Sequence, residues 1–138
     1  MMPKPEQTPI DVLLYHPRSS DGKYRVPRSV LALGSVVEGR YSYEIVDGRF
    51  FYHPAKQLAG EIEKWQPRIL GMTVMPGPQL HEAIPLVRVL REQFPELVIV
   101  WGGYFPSNHP ETVLKSGYVD SVLRGTSEFS LPMLVDAI

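Results

Sequence analysis

The chain is 138 residues long with a net charge of −1 and 21% charged residues. That size suits one domain with a sizeable core, and the charge balance argues against a nucleic-acid or acidic-membrane partner. There is no cysteine, which excludes disulfides, thiolate zinc sites, a cysteine nucleophile and an iron–sulfur cluster held by this segment.

Residues 1–9 (MMPKPEQTP) read as a flexible lead, too polar for a secretory signal. The domain is expected over 10–138. IDVLLY (10–15) is an apolar run that predicts a first buried strand. HPRSSDGKYRVP (16–27) is a polar, turn-rich loop, longer than most strand-to-helix connections. Residues 27–39 read as a helix, with Val30, Leu33 and Val37 on one face, Pro27 at its start and Gly39 at its end. YEIVD (43–47) is a second strand. Residues 54–66 form a second helix, with Leu58, Ile62 and Trp65 on one face. ILGMTVM (69–75) is a third strand. Residues 78–94 carry a helical period through Leu80, Ala83, Ile84, Val87, Leu90 and Phe94, with Pro85 inside to bend the helix or move its start. LVIVW (97–101) is a fourth strand. A short helix follows Pro110, YVDSVL (118–123) is a fifth strand, and SLPMLVDAI (130–138) opens a last helix.

Alternating strands and helices imply an α/β, flavodoxin-like, three-layer sandwich around a parallel sheet. Five strands favour the order 2-1-3-4-5 over 3-2-1-4-5. The switch point then lies between strands one and three, and the ligand crevice between the 16–27 and 75–79 loops. No apolar run approaches ~20 residues, so no membrane span is expected. The compartment expected is the cytoplasm.

The common nucleotide signatures are missing. No G-x-G-x-x-G follows the first strand and no P-loop occurs. A receiver domain would place an aspartate where Met75 ends the third strand. The four histidines, His16, His53, His81 and His109, are too scattered for a metal-ligand set. What remains at the strand ends is small or apolar: Thr73, Met75, Gly77, Gly102 and Gly103. A ligand there would be held by shape and backbone. His16 follows the first strand, as a ligand group or as a strand-end residue paired with backbone. Paired Gly102 and Gly103 imply a positive φ or a close approach by something, and Gly103→Leu is expected to block a ligand while sparing the fold. Tyr104 and Phe105 are placed to face a ligand or a neighbouring domain. Trp65 and Trp101 read as core, and Arg18, Lys23 and Arg25 as a solvated rim.

Several stretches carry a resemblance: VPRSVLALGSVVE (26–38), YEIVDGR (43–49), QPRILGMTVM (66–75), LVRVLREQFPELVIVWGGYFPSNHPE (86–111) and YVDSVLRGTSE (118–128). The last two are the most specific. The chain resembles the cobalamin-binding-like N-terminal domain of radical S-adenosylmethionine enzymes, the group of the anaerobic magnesium-protoporphyrin IX monomethyl ester cyclase. Two departures stand out. Cobalamin domains with a histidine lower ligand carry DxHxxG after strand one, where this chain has HPRSSDGKY. RGTSE (124–128) stands where relatives usually show RGEGE; Glu128 is kept and Ser127 replaces the glycine.

The resemblance implies a cobalamin-binding module holding the cofactor base-off. Thr73, Met75, Gly77, Gly102 and Gly103 would lie along the nucleotide tail, and the corrin would lie over the 16–25 and 103–107 loops near His16 and Tyr104. It implies that this segment is part of a longer protein and not catalytic alone. S-adenosylmethionine and an iron–sulfur cluster would belong to a downstream barrel, which would be the partner domain in a methyltransferase or cyclase. The alternatives are a cofactor-free domain of the same fold capping that barrel, or a nucleotide-sugar-binding domain.

Overall fold

The computed structural model describes residues 9–18, 28–125 and 127–138. Most of the expected lead, most of the first loop and Pro27 lie outside the described residues. Five parallel strands form one sheet in the order β2-β1-β3-β4-β5. They are β1 (Val12–His16), β2 (Tyr43–Asp47), β3 (Ile69–Thr73), β4 (Val98–Gly102) and β5 (Ser121–Val122). The helices are α1 (Arg28–Val37), α2 (Pro54–Trp65), α3 (Pro78–Gln93), α4 (Tyr104–Asn108), α5 (Pro110–Lys115) and α6 (Ser127–Ala137), with a 3₁₀ turn at Gly48–Phe50.

The period-two alternation of buried strands divides the core. Leu13, Tyr15, Leu70, Met72, Ile99 and Trp101 face one layer, with Leu58, Ile62, Leu86, Val87 and Leu90 from α2 and α3. Val12, Leu14, Ile69 and Val100 face the other, with Val37 from α1 and Leu131 and Val135 from α6. Leu13, Leu58, Leu70, Leu90 and Ile99 are fully buried. Each such side chain contributes roughly 1.5–3 kcal/mol of transfer free energy. Trp101 is core and Trp65 packs against the core's edge.

The boundaries differ from the expectation at the strand ends. β1 runs on to His16, paired in register with Asp47, so His16 ends a strand rather than opening a loop. β3 ends at Thr73, although Val74 N–H still makes one further rung to Gly102 C=O at 2.9 Å. β5 is two residues, Ser121 and Val122, in register with Val100 and Trp101, while Asp120 and Leu123 on either side still donate to the Ile99 and Trp101 carbonyls of β4. α3 starts at Pro78 and runs through Pro85, which sits on the exposed side, where a lost rung is least costly. α4 was not expected. It forms because Phe105 N–H is taken by Val74 C=O and Ser107 N–H by Gly103 C=O.

Candidate functional site

Helices α1 and α3 leave β1 and β3 on opposite faces of the sheet, so the chain opens a hollow at the carboxyl ends of these strands. The hollow is about 570 Å³ and is lined by Arg18, Gly77, Pro78, His81 and Glu82. Gly77 takes φ +89 at the start of α3, and a Cβ there would meet nothing within 4 Å. Arg18 spans the rim. Its guanidinium pairs with Glu82 at 3.0 Å and donates to Phe51 C=O at 3.1 Å. The expected solvated Arg18 is therefore tied to α3 and to the segment after the 3₁₀ turn; Lys23 and Arg25 lie outside the described residues. Burial raises the Glu82 carboxyl above its ordinary range, with Arg18 opposing.

Beside the hollow, next to Pro78 on α3, stands a residue that the sequence does not single out. Gln79 is buried at 7% exposure. Its Oε1 accepts from Met75 N–H at 3.1 Å, and its Nε2 donates to Pro17 C=O at 3.0 Å. The β1–β3 ladder stops at Tyr15 and Met72, and Pro17 has no N–H to continue it. One carboxamide supplies the missing rung. His16 Nε2 lies 3.5 Å from Gln79 Nε2. Burial holds His16 below the ordinary histidine range, with Asp47 opposing and Arg49 adding.

A second feature lies on the α1/α6 face at the same end. In register, Gly71 sits between Leu14 and Val100, and Thr73 sits beside Gly102. Two positions without side chains make a trough in an otherwise filled face. Leu14, Leu33, Gly71, Met72, Thr73, Val100, Gly102, Leu123 and Leu131 close it to a slot of about 10 Å³, which is room for one water at most. Leu14 leans into it: a Cβ on Gly71 would stand 3.0 Å from Leu14 Cδ2. Thr73 Oγ1 is buried with no hydrogen-bond partner among the described residues. Tyr15 Oη, Tyr41 Oη and Trp101 Nε1 share that state, but none of the three lines the slot.

The residues singled out from sequence thus fall into separate places. Thr73 and Gly102 share the slot. Gly77 lines the switch-point hollow, while Met75, half exposed, and His16 meet at Gln79. Tyr104 is 63% exposed at the start of α4. Phe105 turns inward and meets the His109 ring at 5.0 Å. Gly103 has φ +102, and a Cβ there would stand 3.2 Å from both Val74 N and Val74 O. The close approach expected of this glycine is made by the protein's own backbone. Gly103→Leu would therefore strain the fold, contrary to the expectation. The two most specific sequence stretches also meet, since Ser107 Oγ accepts from Gly125 N–H at 3.0 Å.

Among the described residues no helix is long and apolar enough to cross a membrane, and no group of three or more His, Asp or Glu is placed to hold a metal ion. A parallel sheet with a switch-point hollow and a glycine-lined slot at the same edge defines a ligand-binding α/β domain. The particular family is the B12-binding domain family, which matches residues 22–135, and the chain belongs to it. It is 26% identical over 113 residues to the uncharacterized methyltransferase PH0819 of Pyrococcus horikoshii, covering 81% of this chain and 24% of that protein. It is 25% identical over 115 residues to the anaerobic magnesium-protoporphyrin IX monomethyl ester cyclase of Synechocystis, covering 81% of this chain and 23% of that protein. The chain spans about a quarter of the length of these curated relatives. Among solved structures, it superposes on the radical S-adenosylmethionine methyltransferase TsrM of Kitasatospora setae, with cobalamin and a 4Fe-4S cluster bound. The TM-score is 0.81 at 20% identity, over 94% of this chain and 26% of that one. That likeness establishes the shared fold.

Proposed function

We propose that this domain binds cobalamin in the base-off form, with the nucleotide tail entering the slot between the sheet and helices α1 and α6. The observation that carries the reading is Thr73 Oγ1, a buried hydroxyl with no partner among the described residues, beside a slot whose floor is two glycines and whose walls are leucine and valine. An apolar slot suits an aromatic base, and a lone hydroxyl suits one polar atom on it. At about 10 Å³ the slot is too small for a base as it stands, so Leu14, Leu33 and Leu131 must give way on entry. The corrin would then rest on the carboxyl edge of the sheet, near Met75, Gly77, Gly103, Tyr104 and His16. Bound cobalamin would supply cobalt-centred group-transfer chemistry, and the domain supplies its orientation. In a longer protein a radical S-adenosylmethionine barrel, with its own cluster, would be the partner domain, and a methyltransferase or cyclase reaction would follow there. The cytoplasm is the compartment proposed.

The rival reading is a cofactor-free domain of the same fold. It is favoured by the near closure of the slot and by Gly103, whose conformation the Val74 contact already requires. One experiment separates the two. The chain is mixed with hydroxocobalamin, desalted, and its visible spectrum recorded. Stoichiometric retention with a base-off spectrum supports the proposal; elution of cobalamin-free protein at every ratio supports the rival.

A further inference from the structure

We infer that Gln79 is a positioning residue that withholds His16 from the lower face of the cofactor site, by occupying the one lone pair that His16 could offer. This rests on the proposed function for its consequence, but its geometry belongs to the chain alone.

Two hydrogen bonds fix the orientation of the Gln79 carboxamide. Met75 N–H can only donate, so the atom facing it is Oε1. Pro17 C=O can only accept, so the atom facing it is Nε2. An amide flip would break both bonds at once. The amide nitrogen therefore presents its N–H groups to the end of β1, and His16 Nε2 lies 3.5 Å from it. A protonated Nε2 would set a donor against a donor. The neutral ring with its proton on Nδ1 is the form that fits. In that form Nε2 carries the only ring lone pair, and this points at the amide. Nδ1 is buried with no partner among the described residues and has no lone pair to give.

The backbone supports the same arrangement. His16 is the last residue of β1, held in register with Asp47. Pro17 after it restricts His16 to extended conformations, so the ring has no swing of backbone to reach a metal. The charged groups that act on His16 are Asp47 and Arg49, which pair with each other at 3.2 Å. Burial and Arg49 oppose protonation of the ring and Asp47 favours it; the facing amide donors add to the opposition.

The test uses Gln79→Met, which keeps the side-chain length and removes the donors, and Gln79→Glu, which replaces them with an acceptor. Nitrogen-15 spectra of the 138-residue chain report the His16 tautomer and its titration midpoint without any cofactor. The wild type is expected to show the Nδ1–H tautomer and a midpoint below the ordinary value of about 6.5. Gln79→Met should move the midpoint up toward that value, and Gln79→Glu should move it further and shift the proton to Nε2. An unchanged tautomer and midpoint in both variants would overturn the inference. A second arm records electron paramagnetic resonance of the cobalt(II) cobalamin complex. Unsplit cobalt lines in the wild type agree with a withheld histidine. Triplet splitting that disappears in His16→Ala overturns it. Failure to bind cobalamin at all would sink the proposed function and leave the nitrogen-15 arm to decide the role of Gln79.

Discussion

Replacing Thr73 with valine should raise stability and lower cofactor affinity together. Thr73 is 7% exposed, and its Oγ1 has no hydrogen-bond partner among the described residues. Leaving such a hydroxyl unpaired costs about 1–3 kcal/mol. Valine keeps the β-branch and replaces the hydroxyl with a methyl group, so the cofactor-free domain should gain about 1 kcal/mol. With a urea slope of about 1–3 kcal/mol/M, the unfolding midpoint should rise by roughly 0.5 M. The same change removes one net hydrogen bond to the ligand, about 0.5–1.5 kcal/mol, which weakens hydroxocobalamin roughly 2- to 12-fold. Urea unfolding followed by circular dichroism gives the first number and a visible titration the second. A destabilised valine variant would mean that Oγ1 has a partner in the native domain. Unchanged affinity in a folded variant would remove Thr73 from the ligand site.

Stability should fall as pH drops through about 6.5, because the unfolded chain protonates His16 before the folded one does; urea midpoints at pH 7.5 and 5.5 should lie closer together in His16→Asn than in the wild type. Gly103→Ala should cost more than Gly77→Ala. Both positions have positive φ, but only Gly103 would press a Cβ to 3.2 Å from the Val74 backbone, so melting should show Gly103→Ala lower by about 1–3 kcal/mol equivalent and Gly77→Ala nearer 1 kcal/mol. Gly48→Ala should destabilise by about 1–3 kcal/mol, because its Cβ would fall on the hydroxyl of Tyr15, which is fully buried; Tyr15→Phe in the same chain should recover part of that loss, and no recovery would place the strain elsewhere.

The sheet order was legible because each strand is a short apolar run and each intervening helix has one apolar face. Register was not, and register decides the site. Nothing in ILGMTVM says that Gly71 will stand beside Leu14 and Val100, or Thr73 beside Gly102. That placement converts two ordinary small residues into a slot. The Gly102–Gly103 pair was visible as a backbone signal, but sequence could not divide its causes. Gly102 lines the slot, while Gly103 answers to Val74. Gln79 was invisible as a site residue because a glutamine near a helix start reads as surface. It is buried only because Pro17 breaks the ladder beside it. Arg18 and Glu82 lie 64 positions apart in the chain, so their ion pair needed the fold to bring them together. The expectation for residues 19–25 lies outside the described residues.

The most direct test of the central claim is a methyl-labelled spectrum of the domain during titration with hydroxocobalamin. Leu14, Leu33, Leu123 and Leu131 line the slot, whereas Ile62 and Leu97 line a groove between α2 and α3. The account predicts that the four slot leucines shift and saturate at one equivalent of cobalamin while Ile62 and Leu97 hold still. Saturable binding that leaves the slot leucines unmoved would contradict it.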